Sequence, residues 1–407
     1  MAKPGTAHYA GPWRTVVVRA VFSSMDFDFD DTAQAFRATL RRYADTRLRP
    51  DYARWDRGER LPRERVRELG ELGVLGLRVA ADYGGSEASY VLAGIAAEEL
   101  GRGDFNFTLL LQLALIAAEL VGGHGTPELR AALLPGLASG ERLIAFGLTE
   151  TGAGSDAAAI RTRAMRDGET YVIDGEKASI TLAGSADDCI VFARIDGVPG
   201  AQGIGAFAVP LTAAGVTREA YRSVGEKLTE RGALRFEGVR VPATHRLGAG
   251  SGFVQAMEAF DYNRAIIALA CVGAAQQSLD ETVEYTKQRH TFGKPLALRE
   301  GVAFQIAEHA TRLAAARHLA YHALWLRDCG RPHTKEAAMA KWLGPKSALD
   351  AIHACLVLHG WPGYDETLPY AQRLRDVLGL EIGDGTPEIM KGVIAREIYG
   401  REFTSFR

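Results

Sequence analysis

The chain has 407 residues, 47% of them hydrophobic and 24% charged, an ordinary globular balance with apolar mass for a large core or two to three domains. Its 48 Lys and Arg against 50 Asp and Glu leave a formal net charge of −2. With no basic surplus to neutralise a phosphate backbone, no nucleic-acid partner is expected.

The longest apolar stretches, such as 265–275, read as too short to span a bilayer. Cys189, Cys271, Cys329 and Cys355 show no Cys-x-x-Cys spacing, which fits a reducing, cytoplasmic setting and argues against a disulfide framework or thiolate zinc site. Residues 1–24 carry Lys3, Arg14 and Arg19 and no acid. They read as a disordered leader, with folding starting near Met25.

From Asp31 to Leu137 apolar residues recur three and four apart, as in ERVRELGELGVLGL and FTLLLQLALIAAELVGG. This predicts a helical N-terminal domain over 25–142, with Gly-Gly at 84–85 and 122–123 as helix ends or turns. Gly140 marks the change. From Leu143 to Val241 the period falls to two and turns are frequent, predicting a compact antiparallel barrel or sandwich over 143–249. Within it, TYVIDGEKASIT carries Asp174-Gly175, read as a tight hairpin.

From Gly252 helix returns as one long Ala-rich run, followed by helical segments at 301–327, 334–359 and 387–400. Gly248 and Gly250 resemble a dinucleotide turn, but no suitable strand precedes them, so they read as the entry to the long helix. The predicted class is α+β and mostly α: a helical domain, a β domain, and a C-terminal four-helix bundle over 250–407.

Three constellations could carry chemistry. GLTETGAGSD at 147–156 has three glycines and three hydroxyls, so backbone N–H groups could approach a planar or anionic ligand. It lacks the Gly-Lys-Ser/Thr of a phosphate loop, and taken alone a tight polar turn explains it better. RHTFGKPL at 289–296 offers an arginine fork, a hydroxyl and an aromatic, or merely a cationic helix end. In EIGDGTPEIMKGVIARE, Asp384 stands between Gly383 and Gly385, before Thr386 at an N-cap and Pro387 at N1. His318 and His322 lie i,i+4, but no third ligand completes a metal pattern, and no metal is expected.

Together with ELGVLGLRVAADYGG, GEKASIT, FDYNR and HGWPGY, these segments resemble the acyl-CoA dehydrogenase family, in order, from about Asp26 to Arg401. The resemblance implies an FAD between the β domain and the C-terminal helices. A carboxylate removes the α-proton of an acyl thioester while the β-hydrogen leaves as hydride to flavin N5. It also implies an electron-transfer flavoprotein as acceptor, and a homotetramer or at least a homodimer.

Carried over by position, the resemblance places Phe146, Leu148, Thr149 and Ser155 along the flavin, Ser155 also touching the thioester. Thr181 falls near flavin N5, and Asp261 and Arg264 on the segment contacting coenzyme A, with a plain intrahelical ion pair as the lesser alternative. Arg289 and Phe292 match the pair reaching a neighbouring subunit's FAD. Thr386 and Glu388 lie near the FAD, Gly385 beside the substrate, and Asp384 at the position of the catalytic glutamate.

The departures are Ser179 for a family tryptophan, Leu182 for asparagine, Glu300 and Val357 for glutamines, and Trp361 for the glycine after Gly360. Asn263 occupies the family's other base position and cannot serve as a base. Two readings compete with the dehydrogenase. One is an oxygen-using flavoprotein of the same fold (an acyl-CoA oxidase, nitroalkane oxidase or monooxygenase), favoured by Ser179 and an aspartate base. The other is a flavin-free helical scaffold. The thioester could hang on coenzyme A or on an acyl carrier protein.

Overall fold

The computed structural model describes residues 28–403, so the expected leader at 1–24 lies outside the described residues. The N-terminal helices are α1 (Asp31–Tyr43), α2 (Tyr52–Asp56), α3 (Arg63–Glu71), α4 (Tyr90–Gly103), α5 (Asn106–His124) and α6 (Pro127–Ser139). Side-chain caps start three of them: Asp30 on α1, Ser89 on α4 and Thr126 on α6. Gly140 ends α6 in the left-handed conformation at φ 76°, where the helical pattern was expected to stop.

Two expectations fail here. Gly122 and Gly123 are not caps or turns but helical residues in the partly exposed last turn of α5, which runs on to His124 and is capped at Gly125. The same 19-residue α5 is apolar and long enough to cross a membrane, contrary to the expectation of no such stretch. Its apolar surface is spent within the protein, with 72% of its most apolar window buried.

Buried charge ties the N-terminal helices together. Glu99 on α4 is fully buried and accepts hydrogen bonds from Arg37 at 2.8 Å and Arg41 at 2.7 Å on α1.

The central sheet comprises β1 (Ile144–Gly147), β2 (Arg163–Asp167), β3 (Thr170–Ile180), β4 (Asp188–Ile195), β5 (Ile204–Pro210), β6 (Val216–Ala220) and β7 (Gly232–Pro242). Its order is β1-β4-β2-β3-β7-β6, with β5 on β4. Most pairs are antiparallel, as expected, but β4 takes β1 and β2 as parallel neighbours. The Asp174-Gly175 hairpin does not form. β3 runs straight through with a bulge there, and the turn joining β2 to β3 lies at Gly168 and Glu169. At Gly175 a Cβ would sit 2.7 Å from the Thr162 Cα, so glycine here serves a close approach and not a turn.

The C-terminal helices are α7 (Gly252–Gln288), α8 (Glu300–Asp328), α9 (Thr334–Leu358), α10 (Tyr370–Ile382) and α11 (Pro387–Tyr399). α10 was not anticipated. α7 and α9 run side by side in the same direction: Thr334 bonds Asp261 near their starts at 2.7 Å, and His359 stacks on Tyr285 near their ends at 4.1 Å. α7 to α10 form the bundle and α11 packs on α9. A two-stranded ribbon, β8 (His290–Thr291) with β9 (Lys294–Pro295), joins α7 to α8.

The three layers meet at α7. Tyr262 packs against Tyr90 of α4 at 4.8 Å, and Phe260 against Phe146 of β1 at 5.2 Å. These contacts orient the sheet edge and the N-terminal helices against the start of the long helix.

Candidate active site

The site begins with one left-handed residue. Asp384, between α10 and α11, has φ 55°, and Gly385 after it has φ 106°. Aspartate tolerates this region because its short polar side chain crowds the backbone little. Thr386 caps α11 by accepting from Ile389 N–H, so its hydroxyl serves the helix.

Helices α7 and α9 hold this loop from two sides. Asn263 Nδ2 donates to Asp384 Oδ2 at 3.0 Å, and Lys341 Nζ donates to the Gly385 carbonyl at 3.0 Å. Both donors are buried. Burial raises the Asp384 carboxyl above its ordinary range, while Lys341, Arg264, Arg231 and the Asn263 amide pull it back. Burial also lowers the Lys341 ammonium, against the opposing charge of Asp384.

Arg231 closes the side nearest the sheet. Its guanidinium donates to the Ser179 carbonyl at 3.2 Å and the Ser179 hydroxyl at 3.3 Å, and pairs with Glu226. Ser179 is exposed and left-handed at φ 58°, so the edge where a family tryptophan would stand is occupied by an arginine. The buried Glu226 carboxyl is raised by burial, against the pull of Arg231.

Asp261 and Arg264 form the intrahelical pair that their spacing suggests, at 2.7 Å, with Asp261 also accepting from Thr334. Arg264 keeps a buried Nε without a partner among the described residues.

On the sheet side, Phe146 and Leu148 flank Gly147, and the exposed loop beyond them carries Ser155. Beneath it the fully buried Lys177 bonds Glu150 at 2.7 Å and the Leu148 carbonyl at 3.1 Å. No hydrogen bond within the described residues engages the hydroxyls of Thr149, Ser155 or Thr181. A hydroxyl set of this kind, beside a loop with open space above Gly152 and Gly154, suits the polar edge of a planar ligand such as FAD.

The other expected flavin residues are not brought here. Arg289, the residue just past the end of α7, lies 25 residues beyond Arg264, about 38 Å along a helix. Phe292 and Gly293 form the two-residue turn of the β8–β9 ribbon, with φ 50° and 75°, and Phe292 is 97% exposed. Glu300 opens α8 nearby and is exposed. Val357, Gly360 and Trp361 share that far end through the His359–Tyr285 stack, with Trp361 77% exposed. Glu388 is the exception, in the first turn of α11 directly after the Asp384 loop, where it is exposed and 3.9 Å from Lys391. One chain therefore presents two separate groups: the Asp384 loop with its neighbours, and a distant display of Arg289, Phe292 and Trp361.

Sequence reasoning gave no role to Arg231, Glu226, Lys341 or the Lys177–Glu150 pair. Only Lys341, a lone cation in an otherwise apolar helical run, carried a local signal.

Models of the acyl-CoA dehydrogenase N-terminal, middle and C-terminal domains match residues 30–141, 145–239 and 250–399. The chain is 36% identical to the acryloyl-CoA reductase (NADH) of Anaerotignum propionicum, over 93% of this chain and 97% of that one. Butyryl-CoA dehydrogenase of Megasphaera elsdenii superposes with a TM-score of 0.89 at 32% identity, covering 92% of this chain and all of the other. A glutaryl-CoA dehydrogenase from Mycobacterium smegmatis in complex with FADH2 gives 0.87 at 29% identity, over 93% and 97%. The carboxylate on its glycine-flanked loop, the hydroxyl-lined sheet edge and these similarities lead to one conclusion: the chain belongs to the acyl-CoA dehydrogenase family, FAD-dependent oxidoreductases that act on the CH–CH bond of acyl-CoA.

Proposed function

We propose that Asp384 is the base of this dehydrogenase and removes the α-proton of the acyl thioester. The observation that carries this is the Asp384 carboxylate itself, held by Asn263 within a ring of Lys341, Arg264 and Arg231. Burial raises its proton affinity, which a base needs, while Lys341, Arg264 and Arg231 pull it back toward the charged form. FAD, when bound, supplies the acceptor for the β-hydrogen as hydride.

The protein's own part is to place and to exclude. Thr149, Ser155 and Thr181 orient the flavin and the thioester through hydroxyls that have no other work. Arg264 and Asp261 sit where the coenzyme A arm would pass, and the Phe146–Phe260 contact keeps the sheet and α7 in fixed relation beneath it. Arg289 and Phe292, displayed at the far end, complete the flavin site of a second subunit, which makes the protein a homotetramer or at least a homodimer. An electron-transfer flavoprotein is the acceptor, and the location is cytoplasmic, in keeping with four cysteines that form no disulfide. The three units fall at 25–142, 143–249 and 250–407.

The test is anaerobic addition of saturated acyl-CoA thioesters to the FAD-loaded protein, following bleaching of the flavin. Asp384→Asn, nearly isosteric but unable to take the proton, should slow bleaching by orders of magnitude. Equal rates in the two proteins would remove Asp384 from the role.

A further inference from the structure

We propose that Asn263 is the positioning residue of the base: its amide N–H₂ binds one oxygen of Asp384 and leaves the other to take the α-proton. The proposal rests on Asp384 being the base.

Asn263 lies in the buried middle of α7 with 1% exposure. Its carbonyl oxygen has no hydrogen-bond partner among the described residues, so the amide is kept there at a cost. A leucine of similar size would fill the same volume without that cost. Among the described residues, the side chain of Asn263 makes one hydrogen bond, the 3.0 Å bond to Asp384 Oδ2. Among the described residues, Asp384 Oδ1 receives no hydrogen bond, which leaves it free for a substrate proton.

A short side chain on a glycine-flanked loop has little else to aim it. Glycine on both sides lets the backbone turn, and an aspartate reaches one methylene less far than a glutamate. Lys341 fixes the loop through the Gly385 carbonyl, but it makes no hydrogen bond to the carboxylate. Direction therefore comes from Asn263.

Charges facing Asp384 come from several elements: Lys341 on α9, Arg264 on α7, Arg231 ahead of β7, and Glu226 in the preceding turn. They act at a distance and stay in place when Asn263 is changed. Removing its donated hydrogen bond should therefore do two separable things. The carboxylate loses its aim, and its proton is held more tightly, because the bond favours the charged form.

The experiment uses FAD-loaded Asn263→Leu and Asn263→Ala beside wild type and Asp384→Asn. Anaerobic flavin reduction by a saturated acyl-CoA, across pH, gives rate, KM and the acid limb together. Both Asn263 variants should lose about 10- to 100-fold in rate with KM within about threefold, since misplacement by about 1 Å costs up to that much. Their acid limb should move to higher pH, while flavin content and thermal midpoint stay near wild type. A rate within twofold and an unmoved limb in the folded variants would overturn the proposal, and the smaller Ala carries the test if Leu does not fold. Should Asp384→Asn itself keep its rate, the base assignment fails instead.

Discussion

Lys177, fully buried in β3, places its ammonium 2.7 Å from the carboxylate of Glu150 at the end of the GLTE segment. The pair ties the strand bearing Ser179 to the loop bearing Thr149 and Ser155. Burial brings Lys177 down to about 8, partly offset by Glu150. Burial works against Glu150 too, but Lys177 and the Thr162 and Arg161 hydrogen bonds outweigh it and hold Glu150 below its usual range. The two residues thus report opposite balances. The geometry decides for a charged pair at neutral pH, because Glu150 accepts from Lys177 and from Thr162 simultaneously.

Lys177→Met should therefore leave Glu150, whose side chain is only 9% exposed, without its cation. Breaking such a pair from one side costs about 3 kcal/mol. A thermal midpoint several degrees lower and faster loss of flavin on gel filtration are expected. An unchanged midpoint would show that the pair contributes nothing.

Asp384→Asn should trade activity for stability. The folded carboxyl is raised, so its contribution is fully present below the unfolded value, about 3.9, and is lost as pH rises through the folded value. At neutral pH the ionised group therefore costs stability, and a neutral asparagine, which also accepts φ 55°, removes that cost. The variant's midpoint should exceed wild type at pH 7, and the advantage should vanish below the carboxylate range. A lower midpoint at pH 7 would contradict that balance.

Arg289→Ala and Phe292→Gly probe the second surface. Phe292 holds a left-handed backbone at the tip of an exposed ribbon, a strain that glycine relieves by about 1 kcal/mol. If that strain serves a neighbouring subunit's flavin site, Phe292→Gly lowers FAD occupancy and weakens assembly while leaving the free chain no less stable. Sedimentation and flavin absorbance measure both. Full occupancy in a monomeric protein would refute the role.

Ser179→Trp tests the open edge. Tryptophan at φ 58° would be strained by about 1–2 kcal/mol and would displace Arg231, so a lower thermal midpoint is expected. Its ring would also shield the reduced flavin from dissolved oxygen, so reoxidation in air should slow. A faster or equal oxygen rate would count against that shielding.

Local pattern carried much of the architecture. α8, α9 and α11 repeat apolar residues at helical spacing and were readable, as was the shift to period two after Gly140. α10 was not, because its buried face includes Arg373 and Asp376. Arg373 is matched by Glu281 on α7 at 2.6 Å, and Asp376 by Asn106 on α5 at 3.3 Å. Such charges look solvent-exposed until partners far along the chain are brought to them. Asp174-Gly175 misled for a similar reason: β7 pairs on both sides of it, and the ladder absorbs the turn signal as a bulge.

The amino-acid order alone determined which chemical groups are available and in what succession: a hydroxyl-rich loop, an arginine ribbon, one carboxylate between glycines. It could not determine how that carboxylate ionises or where it points. Those depend on Asn263, 121 residues away, on Lys341 from another helix, and on Arg231 just ahead of β7. Electrostatic energy falls with distance, and hydrogen bonds fail beyond about 3.5 Å. Separations of that kind exist only once the helices have packed, so the tertiary structure decided which way the Asp384 carboxylate points and what bears on its charge.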